Sequence, residues 1–120
     1  MKLLVCGSRK GCPENKWLRS EIRKYMKPGT INLIVTGGAT GVDSQAKLFA
    51  LETGIPYCEF PALWGKLGAE AGPFRNQYML EFIKPDMVLA FPGGKGTEDC
   101  VKKAVRLKIP VEYALQPQDG

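Results

Sequence analysis

The sequence predicts an α/β fold: a single Rossmann-like, three-layer domain on a parallel sheet of about five strands. Three observations predict it. Short apolar runs alternate with segments of helical periodicity. Those runs are continuously apolar, the mark of a parallel sheet covered on both faces. Fourteen glycines in 120 residues exceed the usual share of about 7%, and most cluster at 37–38–41, 65–68–72 and 93–94–96. Such clusters mark loops where the backbone turns sharply or approaches a ligand. The length suits one domain and is too short for two. Residues 1–115 are expected to form it, followed by a polar tail at 116–120.

The elements follow in order. Leu3-Leu4-Val5-Cys6 reads as a buried strand ending at Gly7. Residues 14–27 place Leu18, Ile22, Tyr25 and Met26 at helical spacing, and Pro28-Gly29 stops them. Leu33-Ile34-Val35 is a second strand, closed by Thr36-Gly37-Gly38. Residues 41–53 carry Val42, Ala46, Phe49 and Ala50 on one helical face, ending at Gly54. Ile55 to Phe60 is a third strand. Residues 61–72 read as irregular, and Pro73 then opens a helix running to about Ile83. Met87 to Phe91 is the clearest strand. Residues 97–107 form a helix with Val101, Ala104 and Val105 inward, and Ile109 to Tyr113 is the last strand. Strand order is not written in the sequence. The order 3-2-1-4-5 is the working expectation, because it sets the loops after strands 1 and 4 side by side at a topological switch point, where open α/β sheets bind ligands.

Composition excludes several classes of function. There is no histidine, so no Ser-His or Cys-His nucleophile exists. The four cysteines, Cys6, Cys12, Cys58 and Cys100, form no Cys-x-x-Cys pair, so no metal site is expected. Cys6 and Cys58 read as buried strand residues, and Trp17 as helix packing. No apolar stretch approaches membrane-spanning length, and the apolar run before Ser8 is too short for a signal peptide. A reducing, cytoplasmic setting is expected. The net charge of +5, from 17 basic and 12 acidic residues, favours anionic partners without choosing among them.

Three loops carry the candidate chemistry: Gly7-Ser8-Arg9, Thr36-Gly37-Gly38-Ala39-Thr40-Gly41-Val42-Asp43, and Pro92-Gly93-Gly94-Lys95-Gly96-Thr97. Each follows a strand, so in a parallel sheet all three share one edge. In the last loop, glycines turn backbone N–H groups toward one point, and the following helix adds its free N–H groups and positive dipole end. Thr97 either caps that helix or bonds a phosphate; Lys95 adds charge or points to solvent. Thr40 is the expected N-cap of the second helix. Asp43 either completes a capping box with it or takes a ribose hydroxyl. No loop fits a Walker A or Gly-x-Gly-x-x-Gly pattern, which disfavours a dinucleotide dehydrogenase. Arg75 falls in the first turn of its expected helix, against the dipole, and so reads as an exposed side chain or a phosphate partner. Asn76 lies on the next position, and Met79 reads as core. Trp64 reads as a lid stacking on a base or as a plug over the core.

These segments, in this order, resemble the YspA/YpsA-related branch of the SLOG superfamily, the DUF2493 domain. The resemblance rests on Cys6-Gly7-Ser8-Arg9, Val35-Thr36-Gly37-Gly38-Ala39 with Gly41-Val42-Asp43, Phe60-Pro61-Ala62 with Trp64, Gly72-Pro73 with Arg75-Asn76 and Met79, and Phe91-Pro92-Gly93-Gly94 with Gly96-Thr97. It implies a Rossmannoid fold, nucleotide-derived ligands, pairing of copies through helices, and distant kinship with the LOG phosphoribohydrolases. Those enzymes carry Pro-Gly-Gly-x-Gly-Thr-x-x-Glu, with the Glu and an upstream Arg as catalytic groups. Arg75 is the counterpart of the Arg, but Cys100 stands at the Glu position. A thiol cannot support an oxocarbenium-like centre as a carboxylate does. The expectation is therefore a binder: a sensor or sequestering protein for an ADP-ribose-like or cyclic nucleotide signal, as proposed for relatives in bacterial and phage conflict. No cofactor is expected. The alternative is a phosphoribohydrolase or related N-glycosidase on nucleoside 5′-monophosphates, with Arg75 and with Asp99, Glu98 or Asp43 as the acidic group. Single-stranded nucleic-acid binding is less favoured, for want of aromatic-basic alternation.

Overall fold

Five strands form one parallel sheet in the order β3-β2-β1-β4-β5. They are β1 (Lys2–Cys6), β2 (Leu33–Thr36), β3 (Tyr57–Glu59), β4 (Met87–Ala90) and β5 (Val111–Tyr113). The computed structural model describes residues 1–9, 15–26 and 30–114, without the side chains of Trp64 and Lys66. Cys12, the Pro28-Gly29 stop and the tail from Gln116 lie outside the described residues. The order is the one expected, and both neighbours of β1 pair with it in parallel, Leu3 opposite Ile34 and Met87.

The pleat of β1 divides the core into its two layers. Leu3 and Val5 face α1 (Asn15–Arg23) and α2 (Val42–Thr53), whose Trp17, Leu18, Ile22, Ala46, Phe49 and Ala50 bury against them. Leu4 and Cys6 face the opposite layer, α4 (Ala71–Ile83) and α5 (Lys95–Arg106), through Met79, Leu80, Cys100 and Ala104. Trp17 packs edge-on to Phe91, ring centroids 5.3 Å apart. Among the described residues, no helix is long and apolar enough to cross a membrane.

Several boundaries differ from expectation for identifiable reasons. The edge strands are short because Pro56 and Pro110 have no N–H to donate. Their carbonyls still accept from Ile34 and Val88, and the ladders start at the next residue. Helix α1 stops at Arg23, where Tyr25 and Met26 close i→i−3 bonds instead. The stretch expected to be irregular is helical from Trp64. A short α3 (Trp64–Leu67) and a 3₁₀ turn (Gly68–Glu70) run into α4 at Ala71. Pro73 is thus the third residue of its helix, still in the turn that tolerates it. Arg75 is the fifth residue and not in the first turn, so the dipole argument does not apply to it.

Helix α5 begins at Lys95, two residues before expectation, which puts Gly96 and Thr97 inside its first turn. Val105 is 60% exposed; the inward stripe is Cys100 and Ala104, with Val101 half-buried beside them. Thr40 is not the N-cap of α2. Gly41 holds that position, and the Thr40 hydroxyl donates to Arg9 O. Cys58 is only half-buried, because it sits on an edge strand.

Helix α4 exposes an apolar face. Phe74, Tyr78 and Phe82 lie one turn apart, with Tyr78 and Phe82 stacked at 5.4 Å and Leu63 and Leu67 exposed nearby.

Candidate functional site

The C-terminal ends of β1, β2 and β4 bring the three glycine loops together, and the first loop joins the other two. Ser8 N–H donates to Pro92 O, and Ser8 O accepts from Val42 N–H at the start of α2. This closeness requires Gly41. Its φ is +76°, and a Cβ there would stand 2.2 Å from Ser8 O. A cleft of about 410 Å³ opens above the junction, a size suited to a small ligand.

Much of the expected site lines this cleft. Gly7, Ser8, Arg9, Gly37, Asp43, Arg75, Asn76, Gly94, Lys95, Gly96 and Thr97 all do. Gly38 lines an adjoining cavity, while Thr36, Gly41, Pro92 and Gly93 line neither of the two. Thr36 is committed internally, its hydroxyl bonding the Tyr57 hydroxyl and accepting from Gly38 N–H. The backbone of Trp64 opens α3, and its side chain lies outside the described residues.

The residues that sequence reasoning missed are the apolar ones on the floor: Val5, Cys6, Met79 and Cys100, with Ala39 at the side. They read as core because they are core, yet they sit where the core meets the cleft. The available signal was position. Cys6 ends β1, Met79 follows Asn76 by three residues, and Cys100 follows Gly96 by four, each pair on one helix face. A hydrogen bond to Cys100 and burial push the Cys6 thiol well up, so it stays a neutral floor group.

Arg75 is fixed before any ligand arrives. Its Nη1 donates to Gly37 O at 2.7 Å and Phe60 O at 3.2 Å, and its Nε to Asn76 Oδ1 at 2.8 Å. No acceptor among the described residues takes its Nη2. Gly37 makes this seat possible, since a Cβ there would lie 2.1 Å from Arg75 Nη1. Asn76 is buried and spans to α5, donating to Gly96 O and Asp99 Oδ2. It acts as a brace between α4 and the first turn of α5.

Asp43 is the carboxylate of the cleft. Burial raises its pKa from 3.8 to about 6, against the lowering effect of the Ala39 N–H, the Arg75 guanidinium, the Gly37 N–H and Arg9. Its Oδ2 accepts from Ala39 N–H at 3.1 Å, a reach back into the loop like that of a capping box but to a different residue. Burial lowers the pKa of Arg75, partly offset by Asp43. Glu98 is exposed and lines neither cavity. Asp99 is held by Asn76 and Lys103. Among the described residues, no trio of acids and thiols is grouped to hold a metal ion.

The first turn of α5 offers uncommitted donors. Its first internal bond runs from Glu98 N–H to Gly94 O, so the N–H groups of Lys95, Gly96 and Thr97 have no helical acceptor. A Cβ at Gly94 or Gly96 would meet nothing within 4 Å. Neither residue has a positive φ, so the chain's own packing does not demand glycine at either.

Comparisons with known proteins bear on the family and the fold. The family model described as YAcAr, the YspA, cpYpsA-related SLOG family, matches residues 1–66. No curated protein matches significantly. The X-ray structure of TM1055, a structural-genomics target, aligns with a TM-score of 0.62 at 19% identity, over 92% of this chain and 71% of that one. A UDP-N-acetylglucosamine 2-epimerase aligns at 0.55 and 20% identity, over 93% of this chain and 32% of its own. The Neisseria meningitidis UDP-GlcNAc 2-epimerase, bound to UDP-GlcNAc, aligns at 0.55 and 24%, over 94% and 32%. The chain spans about a third of each epimerase. At these identities the likeness is one of fold.

Proposed function

Because the chain belongs to the YspA, cpYpsA-related SLOG family, we propose that it holds a nucleotide-derived, phosphate-bearing ligand in the cleft and acts as a sensor or sequestering protein. The ligand is of the ADP-ribose-like or cyclic-nucleotide kind. One observation carries the reading. The free N–H groups of Lys95, Gly96 and Thr97 are flanked by two glycines that the fold itself does not require. Such a turn accepts an anion through its N–H groups and dipole, and a missing Cβ lets the anion come close.

The other groups fit the same ligand. Arg75 Nη2 supplies a pre-aligned, charge-assisted donor. Asp43, opposite, accepts from a ribose hydroxyl. Of the acids the phosphoribohydrolase alternative could use, Glu98 is turned out and Asp99 is already engaged, which leaves Asp43, the one that lines the cleft. Calorimetry against paired nucleosides and nucleotides tests the proposal. Nucleotides are expected to bind and the matching nucleosides not to. Absence of binding at millimolar nucleotide would refute it.

A further inference from the structure

Two thiols meet on the floor of the cleft. Cys6 ends β1, and Cys100 lies on the inward stripe of α5. Both line the cleft, their side chains share a hydrogen bond, and neither is in a disulfide. They are distant in the chain, so the fold and not the local sequence pairs them. Packing alone asks only for small apolar side chains at these places. The two surroundings differ. Burial and the bond to Cys100 keep Cys6 as the neutral thiol. Arg75 stands close enough to Cys100 for a charge on either to act on the other. A thiolate formed on Cys100 therefore has a guanidinium and the Cys6 S–H beside it, a setting that makes a thiol reactive. Both residues are buried, so an oxidant reaches them through the cleft and must be small.

We propose that Cys6 and Cys100 form an oxidation site on the cleft floor, with Cys100 as the attacking thiol, Cys6 as the resolving thiol and hydrogen peroxide as the oxidant. The Cys100 thiolate attacks one peroxide oxygen, and the O–O bond breaks. Hydroxide leaves and takes up the thiol's proton as water, and Cys100 becomes a sulfenic acid. Cys6 Sγ then attacks that sulfur. The S–O bond breaks, the S–S bond forms, and a second water leaves with the Cys6 proton. The two thiols together lose two electrons, which the peroxide gains. The link ties the end of β1 to α5, one turn beyond the free N–H groups of that helix. The inference stands on the floor of the cleft and not on what the cleft binds.

The experiment treats the full chain with hydrogen peroxide, alkylates the remaining thiols after unfolding, and maps tryptic peptides by mass without reduction. Trypsin frees the two cysteines on separate short peptides, residues 3–9 and 96–102. These are expected to appear joined, from protein that runs as a single chain on a non-reducing gel, and to separate on reduction. In Cys6→Ala, Cys100 is expected to stop at the sulfenic acid and to be trapped by a 1,3-dione. In Cys100→Ala, Cys6 is expected to remain a free thiol. Both thiols still free in the unaltered protein, once glutathione added to the same solution is fully oxidised, would overturn the inference. So would links formed only between two copies, or only to Cys12 or Cys58. Oxidation of Cys6 in folded Cys100→Ala would overturn the assigned order of attack.

Discussion

Arg75→Ala is expected to weaken nucleotide binding by about a hundredfold, the loss of one charge-assisted hydrogen bond from a half-buried, pre-aligned donor. Stability should fall as well. The side chain ties α4 to Gly37 O after β2 and to Phe60 O after β3, and neither carbonyl has another partner of this kind. Losing such contacts costs about 1–3 kcal/mol. Arg75→Lys separates charge from geometry. Lysine keeps the charge but cannot bond two carbonyls and Asn76 while still offering a donor to the cleft. Its affinity is expected to lie between those of wild type and alanine, at least about tenfold below wild type. Titration calorimetry with thermal melts of the same samples reads both effects. Wild-type affinity in Arg75→Ala would remove this residue from the site.

Asp43→Asn is expected to stabilise the protein at neutral pH while weakening the ligand's hold. The folded state keeps the Asp43 proton up to about pH 6, whereas an unfolded chain releases it near 3.8. Between those values the folded state binds more protons, so this group's contribution to stability falls as pH rises, by about 3 kcal/mol in all. The penalty is complete above about pH 6. Asparagine carries no charge to bury, and its carbonyl can keep the Ala39 N–H bond. Denaturant midpoints from pH 4 to pH 8 are therefore expected to lose this component of their slope in the variant. An unchanged slope would show that Asp43 titrates normally. A buried carboxylate kept at such a cost is what a binding site retains against stability.

Much of the fold was legible because the strands are unambiguous. The apolar runs at residues 3–6, 33–35 and 87–91 read as buried parallel strands, whereas the 3-2-1-4-5 order was an expectation that the sequence does not write, chosen to set the loops after β1 and β4 together, and the structure has that order. The short edge strands were harder to bound, since Pro56 and Pro110 alter hydrogen bonding without breaking the apolar run. The helical stretch from Trp64 was hidden by its glycines, although alanine at 69 and 71 favours helix.

The candidate site was legible as loops but not as a surface. Spacing cannot reveal that Gly41 serves Ser8, that Gly37 seats Arg75, or that Asn76 braces α5, because each role depends on a partner distant in the chain. Nor does a Cys at the expected Glu position say where it points. The fold places it on the cleft floor beside Cys6. Glu98 and Asp99, its neighbours, face away or are engaged because successive helix positions turn by about 100°.

The glycine turn at the start of α5 is the centre of this account, and Gly96→Leu tests it most directly. A helical Cβ leans toward the N-terminus, so the new side chain would lie over the free N–H groups of that turn. Apart from the adjoining residues and the backbone of its own helix, nothing stands within 4 Å of the Cβ to be displaced. Leucine is also the better helix former, by up to about 1 kcal/mol. The expected result is an equal or higher melting temperature together with loss of nucleotide binding by calorimetry. A variant that melts like the wild type and binds nucleotide as tightly would contradict the phosphate reading of the loop.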